Sequence, residues 1–263
     1  MANKKLSSMN IEIAVSTIDD GIYNIHLNDE FNYLIVHQVT HGISATKYDD
    51  VIKTLSLKGV RYFRLNGKGL SISRNVALDN ANADYIWIMD DDVTIKNGSL
   101  SKIEEALHKY DPDVLVLDHD SNNKDRRAFR EGQVINKITA MSVCSIDLLI
   151  KVSSLHGVRF PTELGLGTDY PSGEEYVFCC DLLKRKQKIV KTNISVAIHP
   201  QHTSGQDFYS NMNKFLAKKK MFNHVYGRML GAFFYWAFLV KKTPILINKK
   251  SAIKMALLSL FKN

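Results

Sequence analysis

Three consecutive carboxylates, Asp90, Asp91 and Asp92, are the side chains of this sequence that point most directly to chemistry. They follow an apolar run over residues 85–89 that has the composition of a buried strand. Adjacent carboxylates repel one another and are costly to bury without a cation. Because side chains alternate along a strand, Asp90 and Asp92 are expected on one side and Asp91 on the other. The pattern favours a hard divalent cation that carries a phosphorylated ligand, and a solvated acidic turn is the alternative.

A second acidic pair, Glu174 and Glu175, follows a glycine-rich segment over residues 165–173 and opens a predicted helix. One of these carboxylates, facing a cleft, could act as a general base that deprotonates an acceptor hydroxyl. The alternative is structural, since Ser172 and Glu175 have the spacing of a capping box and Glu174 suits the first turn of a helix. Capping accounts for one glutamate better than for both.

The segment that contains Gly69 and Arg74 is predicted to be a loop that opens a helix, with Ser71 as its cap. Arg74 would then lie in the first turn, where the helix dipole disfavours a cation unless a bound anion compensates for it. A pyrophosphate group is such an anion. The alternative is a surface arginine that pairs with Asp79 or another nearby carboxylate.

Two histidines, His199 and His202, follow the last predicted strand at residues 188–196. A neutral imidazole at a strand end could bind the same cation as the aspartates. A structural histidine is the alternative, and the sequence leaves these two roles open.

The elements that would position these residues alternate between strands and helices. Strand composition marks residues 11–17, 33–38, 60–65, 85–89, 114–117 and 188–196, and helical periodicity marks residues 99–110 and 145–152. This alternation predicts crossover units and therefore an α/β domain with a mainly parallel sheet. Residues 137–143 are expected to return to the sheet, and residues 118–133 to form a surface excursion, either a hairpin or a mobile lid.

The composition is that of a globular protein with a basic carboxyl-terminal part. The 263 residues are 45% hydrophobic and 24% charged, and their formal net charge is +8. Lysine and arginine crowd residues 184–191, 214–228 and 241–254, so an anionic partner is expected, either membrane lipid or nucleic acid. Three cysteines without zinc-type spacing suit reduced thiols in the cytosol, and the polar start of the chain lacks the apolar core of a secretion signal.

Residues 208–263 differ in character from residues 1–207 and are predicted to form a separate helical extension. An aromatic run at residues 231–240 is flanked by cations, and residues 252–261 are amphipathic. No apolar run reaches the roughly 18–20 residues of a membrane span, and residues 229–240 come nearest to it. The extension suits helices that lie in a membrane interface, and helices that pack on the rest of the chain or on another subunit are the alternative.

Together, these residues resemble the GT-A class of nucleotide-sugar-dependent glycosyltransferases, and within it the inverting family 2 enzymes of bacterial surface polysaccharide synthesis. The resemblance covers residues 10–205 approximately and rests on four segments, residues 14–17, 69–75, 90–92 and 173–175. It implies a Rossmann-like α/β fold with a mixed, mainly parallel sheet flanked by helices. The implied catalytic domain is residues 1–207, followed by the helical extension at residues 208–263.

The resemblance also implies roles for individual residues. Asp90 and Asp92 match the Asp-x-Asp motif that holds the metal bridging the donor's diphosphate, and Glu175, beside Glu174, matches the catalytic base of the family's Glu-Asp pair. Two departures are the Glu-Glu pair itself and the absence, after the first strand, of the proline usual in the family. The implied metal ligands are Asp92, Asp90 and His199, and the implied donor-binding residues are Thr17, Asp20, Gln38, Gly69, Arg74, Asp90 and Asp91.

The resemblance implies a metal-dependent, inverting transfer of a sugar from a nucleotide-diphosphate sugar to a hydroxyl of a glycan or polyprenyl-linked acceptor, with Mn or Mg as the cation. The expected location is the cytoplasm, at the inner face of the cell membrane, with no nucleic acid bound and with self-association left open. A sugar nucleotidyltransferase is the closest rival, but the glycine-rich, lysine-containing phosphate loop of that chemistry is not visible at residues 16–21. A basic nucleic-acid-binding protein is a weaker rival because it leaves both acidic features unexplained.

Overall fold

The computed structural model describes residues 9–44, 46–120, 130–199 and 208–262. Within these residues the chain forms strands and helices joined by loops and short 3₁₀ turns. The strands are β1 Ile11–Ile18, β2 Asn32–Val39, β3 Arg61–Asn66, β4 Tyr85–Asp90, β5 Thr94–Ile95, β6 Val114–Asp120, β7 Gln133–Val134, β8 Leu148–Lys151 and β9 Ile189–Ile198. The helices are α1 Asp49–Leu57, α2 Leu70–Asp79, α3 Ser99–Tyr110, α4 Glu174–Lys184, α5 Met212–Tyr226, α6 Arg228–Ile247 and α7 Lys250–Phe261.

One sheet contains these strands in the order β3-β2-β1-β4-β8-β6-β9-β5, and β7 also pairs with β9. The neighbours from β3 to β4 are parallel, as are β6 and β9, whereas β8 runs antiparallel to both β4 and β6. Strands β5 and β7 pair antiparallel with β9. The mixed, mainly parallel sheet predicted from the sequence is confirmed, because α1 and α2 return the chain to the same direction between successive strands.

The sheet is buried on both faces. Along β4, Ile86 and Ile88 belong to one hydrophobic cluster, whereas Trp87 and Met89 belong to the other. Helices α2 and α4 contribute to the first cluster, and α1 and α3 contribute to the second. A strand that is covered on both sides carries a continuous apolar run, as β4 does. Strand β4 therefore leads directly from the core to the acidic triplet at the carboxyl edge of the sheet.

Two segments differ from their predictions. The helix predicted at residues 145–152 is wrong, because Ser145–Asp147 forms a single 3₁₀ turn and the chain then continues as β8. The side chains of β8 are buried between β4 and β6, so pairing within the sheet decides the conformation of this short apolar run. Residues 137–143 do not return to the sheet; they contain the 3₁₀ turn Thr139–Ser142, which contacts α4.

The carboxyl-terminal helices pack onto the sheet domain. Buried side chains of α5, α6 and α7 belong to the same hydrophobic cluster as those of α2 and α4, and α5 contacts α4, α6 and α7. At the start of α4, Gly173 has φ of +96°, which favours glycine, and a Cβ there would lie 2.9 Å from Met221 Sδ of α5 and displace that side chain. Helix α6 continues past the apolar run seen in the sequence. By length and composition alone, it is the one helix of the described part of the chain that could cross a membrane.

Candidate active site

A cleft of about 470 Å³ opens at the carboxyl edge of the sheet, where β1, β2 and β4 end. Open α/β sheets bind ligands at this edge, and the volume suits a small-molecule site. The walls come from these strand ends, the ends of β6 and β9, residues 144–146, the starts of α2 and α4, the loops before both helices and one side chain of α5. The residues that line the cleft are Ser16, Thr17, Ile18, Gln38, Lys68, Gly69, Leu70, Arg74, Asp90, Asp91, Asp92, His119, Cys144, Ser145, Ile146, Leu166, Gly167, Pro171, Ser172, Glu174, Glu175, His199 and Lys218.

Arg74 joins the two acidic features of the sequence. It is 1% exposed, and its Nη1 donates to Glu174 Oε1 at 3.0 Å while its Nη2 donates to Asp90 Oδ1 at 3.0 Å and to Ser145 Oγ at 2.8 Å. The guanidinium also lies 5.5 Å from the centre of the Phe160 ring. Burial alone would lower the pKa of Arg74, but the carboxylates of Asp90 and Glu174 raise this pKa above its ordinary value. One buried cation therefore holds the end of β4 against the start of α4.

Glu175 faces the cleft beside this buried pair. Burial and the adjacent carboxylate of Glu174 raise the pKa of Glu175 to about 8, and the charge of Lys218 on α5 opposes that rise. A carboxylate whose pKa is raised toward neutrality is a better proton acceptor than an ordinary glutamate. The two glutamates therefore have different surroundings: Glu174 is bound to Arg74, and Glu175 is directed to the cleft.

Asp91 points to the opposite side of β4 from Asp90. Its Oδ2 accepts a hydrogen bond of 2.5 Å from Thr17 Oγ1 at the end of β1. Gly21 packs so closely here that a Cβ would lie 2.1 Å from the same carboxylate oxygen. Burial raises the pKa of Asp91, the bond from Thr17 lowers it, and the charges of Asp90 and Asp92 raise it further. The hydrogen bond between Thr17 and Asp91 thus connects the acidic triplet to the end of β1.

Asp92 lies in the turn after β4 and faces His199, which follows β9 directly. Asp92 Oδ1 and His199 Nε2 are 3.6 Å apart, and the antiparallel pairing of β5 with the end of β9 brings the two segments together. Adjacent ligands of a six-coordinate cation with bonds of about 2.0–2.1 Å lie about 3 Å apart. The two atoms are therefore close to the separation that a shared divalent cation needs, and carboxylate and imidazole are both common metal ligands.

A buried network lies behind His199. The His119 ring is 5.7 Å from the His199 ring, centre to centre, and His119 Nδ1 lies 2.7 Å from Asp147 Oδ1. Asp118, His119 and Asp147 place ligand atoms within 4.8 Å of one another, which is a second arrangement that could hold a metal ion. The Lys191 ammonium, however, lies 3.5 Å from Asp118 Oδ1 and 3.8 Å from Asp147 Oδ2. Because a lysine already supplies positive charge there, the Asp92 and His199 pair is the better metal candidate.

Residues 44–190, more than half of the chain, match the family described as Glycosyl transferase family 2. The chain belongs to this family. It is therefore a glycosyltransferase, as the resemblance seen in the sequence implied. None of the curated proteins matches the sequence.

The glycosyltransferase is similar in fold to solved structures of low sequence identity. The UDP-GlcNAc complex of S. aureus TarS 1-349 has a TM-score of 0.57 and 14% identity, and the match covers 89% of this chain and 72% of that chain. A second S. aureus TarS structure has a TM-score of 0.55 and 17% identity over 82% of this chain, which spans only 43% of that chain. The mannosyltransferase PcManGT from Pyrobaculum calidifontis, in complex with GDP-Man and Mn²⁺, has a TM-score of 0.54 and 10% identity, covering 97% of this chain and 86% of that chain. The GT-A fold predicted from the sequence is confirmed.

Ten of the eleven predicted site residues of the glycosyltransferase line the cleft: Thr17, Gln38, Gly69, Arg74, Asp90, Asp91, Asp92, Glu174, Glu175 and His199. Asp20 is not among the residues that line it. It lies in the 3₁₀ turn Asp19–Asn24, where its Oδ1 is 2.6 Å from Lys47 Nζ and accepts a hydrogen bond of 3.0 Å from Tyr48. The roles of all these residues stay predictions. His202 and most of the predicted surface excursion lie outside the described residues.

Two local predictions about this site are wrong, and the capping alternative for the glutamate pair is not observed either. Ser71 does not cap α2, because Gly69 is the N-cap and Ser71 donates instead to the Leu164 carbonyl at 2.7 Å. Arg74 consequently lies in the second turn of α2, where its side chain reaches carboxylates of the sheet edge and of α4. No capping box is formed at α4, since Gly173 is its N-cap and no side chain makes the capping hydrogen bond.

Several cleft residues of this glycosyltransferase were not found from the sequence. Lys218 belongs to the extension, and only the packing of α5 against α4 brings it near Glu175. Ser145 opens the segment at residues 145–152 whose conformation was predicted wrongly, and Cys144 lies directly before it. His119 could have been predicted from the sequence, because polar residues follow an apolar run at the end of β6 as they do at the end of β4.

Proposed function

We propose that this glycosyltransferase moves a sugar from a nucleotide-diphosphate sugar to a hydroxyl of a glycan or lipid-linked glycan acceptor, inverting the anomeric carbon with the help of a divalent cation. One observation carries the proposal: buried Arg74 binds Asp90 and Glu174, so that the acidic triplet and Glu175 face one cleft. The complexes of TarS with UDP-GlcNAc and of PcManGT with GDP-Man and Mn²⁺ support a nucleotide-sugar donor for this fold.

Asp92 and His199 would hold the cation, with Asp90 beside them. Their partly exposed positions at the cleft and the 3.6 Å between carboxylate and imidazole support this assignment. When bound, the cation would stabilise negative charge on the departing nucleotide diphosphate. The protein's own contribution here is to hold Asp92, just before β5, beside His199, just after β9, through the pairing of β5 with β9, so that little reorganisation is needed when the donor binds.

Glu175 would take the proton of the acceptor hydroxyl. The acceptor oxygen forms a bond to the anomeric carbon while the bond from that carbon to the diphosphate oxygen breaks, and the proton passes to the Glu175 carboxylate. Because the base and the leaving group act from opposite sides of the sugar, one displacement inverts the anomeric centre. Lys218 would keep a sufficient fraction of Glu175 ionised by opposing the effect of Glu174.

The donor would lie along the ends of β1 and β2 and the start of α2. Thr17 and Gln38 are buried at these strand ends and offer polar groups to the nucleoside. Gly69 has φ of +147° and lies against the loop before α4, where Leu70 N donates to the Leu166 carbonyl at 2.9 Å. That contact joins the donor side of the cleft to the loop that carries the glutamate pair.

Removal of the cation is expected to abolish transfer. Chelation with EDTA should remove activity and Mn²⁺ or Mg²⁺ should restore it, and Asp92→Asn should lower turnover because one charged ligand is lost. The measurement is release of nucleoside diphosphate, with the anomeric configuration of the product read by NMR. Asp84→Asn, which changes a carboxylate at the opposite end of β4, is the matched control. Full activity in EDTA, or a product with retained configuration, would contradict the proposal.

The rate should depend on the ionisation of Glu175. Since a general base must be deprotonated and the pKa of Glu175 is raised to about 8, kcat/KM should rise with pH through that pKa. Lys218→Met should move the profile to higher pH, because it removes the charge that favours the carboxylate. A profile that stays flat across roughly pH 6 to 9 in the unmodified enzyme would count against Glu175 as the base.

The partners and the location complete the proposal. The acceptor is a glycan or a polyprenyl-linked glycan, and the enzyme works in the cytoplasm at the inner face of the cell membrane. The basic extension supports this location, since the cytoplasmic leaflet is anionic.

A further inference from the structure

Helix α6 carries an apolar stripe that faces solvent. The stripe consists of Met229, Phe233, Trp236, Val240 and Ile247, and each of these side chains is more than half exposed. Their spacings of four, three, four and seven residues place them on one side of a helix. The stripe extends through all 20 residues of α6, a length of about 30 Å. Only 22% of the apolar window of this helix is buried.

The opposite side of α6 is fixed to the protein. Gly231, Tyr235, Leu239 and Leu246 are buried and extend from the first turn of the helix to its last. The Tyr235 hydroxyl also forms a hydrogen bond of 2.5 Å with Ser259 Oγ of α7. A helix that packs on a protein along its whole length cannot be surrounded by lipid. The α6 stripe is therefore suited to a surface contact and not to a span.

The charge of the extension indicates which kind of partner the α6 stripe contacts. Residues 208–263 contain 11 of the 35 lysines and arginines and none of the 27 aspartates and glutamates, so their formal charge is +11. Residues 1–207 contain 24 basic and 27 acidic residues and have a formal charge of −3. A second copy would bring an equally basic surface against the α6 stripe, and the two would repel each other. An anionic bilayer attracts this surface and also accepts exposed tryptophan and phenylalanine at its headgroup level.

We propose that the α6 stripe docks the protein on an anionic membrane surface, with α6 parallel to the bilayer plane. The apolar side chains enter the headgroup region, and the exposed Lys241 contacts anionic headgroups, whereas the Lys242 ammonium lies over the Phe208 ring of the protein, 5.5 Å from its centre. Helix α5 links this surface to the cleft, because α5 contacts α6 and also contributes Lys218 to the cleft wall. Docking would thus hold the cleft beside the bilayer. The proposal deepens the membrane location given under the proposed function, but its test measures vesicle binding and not sugar transfer, so each can fail without the other.

Tryptophan fluorescence can measure this docking in the full chain. The chain has two tryptophans; Trp87 is fully buried, whereas Trp236 is 53% exposed. A blue shift of the emission on adding vesicles therefore reports Trp236. We expect the shift with vesicles that contain phosphatidylglycerol and not with vesicles of phosphatidylcholine alone, and salt should weaken it. Equal shifts with both kinds of vesicle would contradict the charge part of the proposal.

Variants of the α6 stripe provide the second test. Phe233→Gln combined with Trp236→Gln should weaken flotation with phosphatidylglycerol vesicles on the order of tenfold or more, because two exposed aromatic contacts are lost. Lys241→Gln should weaken it roughly fivefold. Leu57→Gln, which replaces an 82% exposed leucine on α1, is the matched control and should bind as the unmodified chain does.

Two outcomes would overturn the proposal. If the chain does not float with anionic vesicles and light scattering shows a dimer that the Phe233→Gln, Trp236→Gln variant lacks, the α6 stripe is an interface between copies. If vesicle binding resists high salt and alkaline carbonate, α6 is inserted and not peripheral.

Discussion

Glu175→Gln is expected to lower kcat by about 100- to 10,000-fold, the usual contribution of a general base. The introduced amide keeps the shape of the side chain but cannot take the acceptor proton. Donor binding should persist, because the donor is expected to contact the strand ends and the start of α2 on the other side of the cleft. The measurement is steady-state transfer together with the donor-induced rise in Tm. Loss of turnover with an unchanged Tm rise is the expected result.

The control for this variant is Glu163→Gln, which changes an exposed glutamate before α4 that does not line the main cleft. It should leave kcat within twofold, approximately, of the unmodified enzyme. Normal turnover of Glu175→Gln would remove Glu175 from the mechanism. Because Glu174 is bound to Arg74, Glu174→Gln should act mainly on stability, which separates the two glutamates.

Arg74→Met is expected to lower the free energy of unfolding by about 3–5 kcal/mol, the cost of breaking a buried ion pair by removing one partner. Asp90 and Glu174 would lose their shared cation, and Glu174 is 6% exposed, so water cannot replace it fully. The methionine keeps much of the length of the side chain and its contact with Phe160. The measurement is urea unfolding at equilibrium, and activity should fall as well because the two acidic features lose their common anchor.

Arg159→Met is the matched control for Arg74→Met. Arg159 pairs with Asp79 at 2.6 Å, but both side chains are substantially exposed, so its loss should cost at most about 1 kcal/mol. If Arg74→Met is too unstable to purify, Arg74→Lys keeps the charge and loses one of the two carboxylate contacts, and an intermediate loss is expected. Equal stabilities of the Arg74 and Arg159 variants would show that the buried network is not the anchor described here.

The acidic triplet shows which features of the site could be predicted from the local sequence and which could not. Strand alternation placed Asp90 and Asp91 on opposite sides of β4, where the first pairs with Arg74 and the second accepts from Thr17. Alternation does not by itself position Asp92, because β4 ends at Asp90 and both Asp91 and Asp92 lie in the turn that follows. The position of Asp92 is fixed by the pairing of β5 with β9, which is a contact between segments about a hundred residues apart.

Arg74 shows why a residue can be chosen correctly for the wrong reason. The sequence indicated an arginine at a helix start that needs an anion. The chain supplies that anion itself, because the second turn of α2 faces the end of β4 and the start of α4. Glu174 could not be identified as a partner from spacing, since it is a hundred residues away.

Short apolar segments were the least predictable part of the fold. Residues 148–150 could be a helix or a strand on periodicity alone, and insertion between β4 and β6 makes them a strand. Helix α6 was underestimated because its length includes Lys241 and Lys242, which interrupt the apolar run but not the helix. Lys218 could not be assigned to the cleft at all, since its place depends on the docking of α5 against α4.

A thermal-shift titration with nucleotide sugars tests the central claim most directly. The unmodified chain and the Asp92→Asn variant would be screened with UDP-sugars, GDP-sugars and nucleoside triphosphates, each with Mn²⁺ and with EDTA. We expect the Tm of the unmodified chain to rise with a UDP- or GDP-sugar only when Mn²⁺ is present, and we expect Asp92→Asn to lose this rise. A rise with nucleoside triphosphates alone would contradict sugar transfer and favour a nucleotidyltransferase, and an equal rise in EDTA would contradict the metal site.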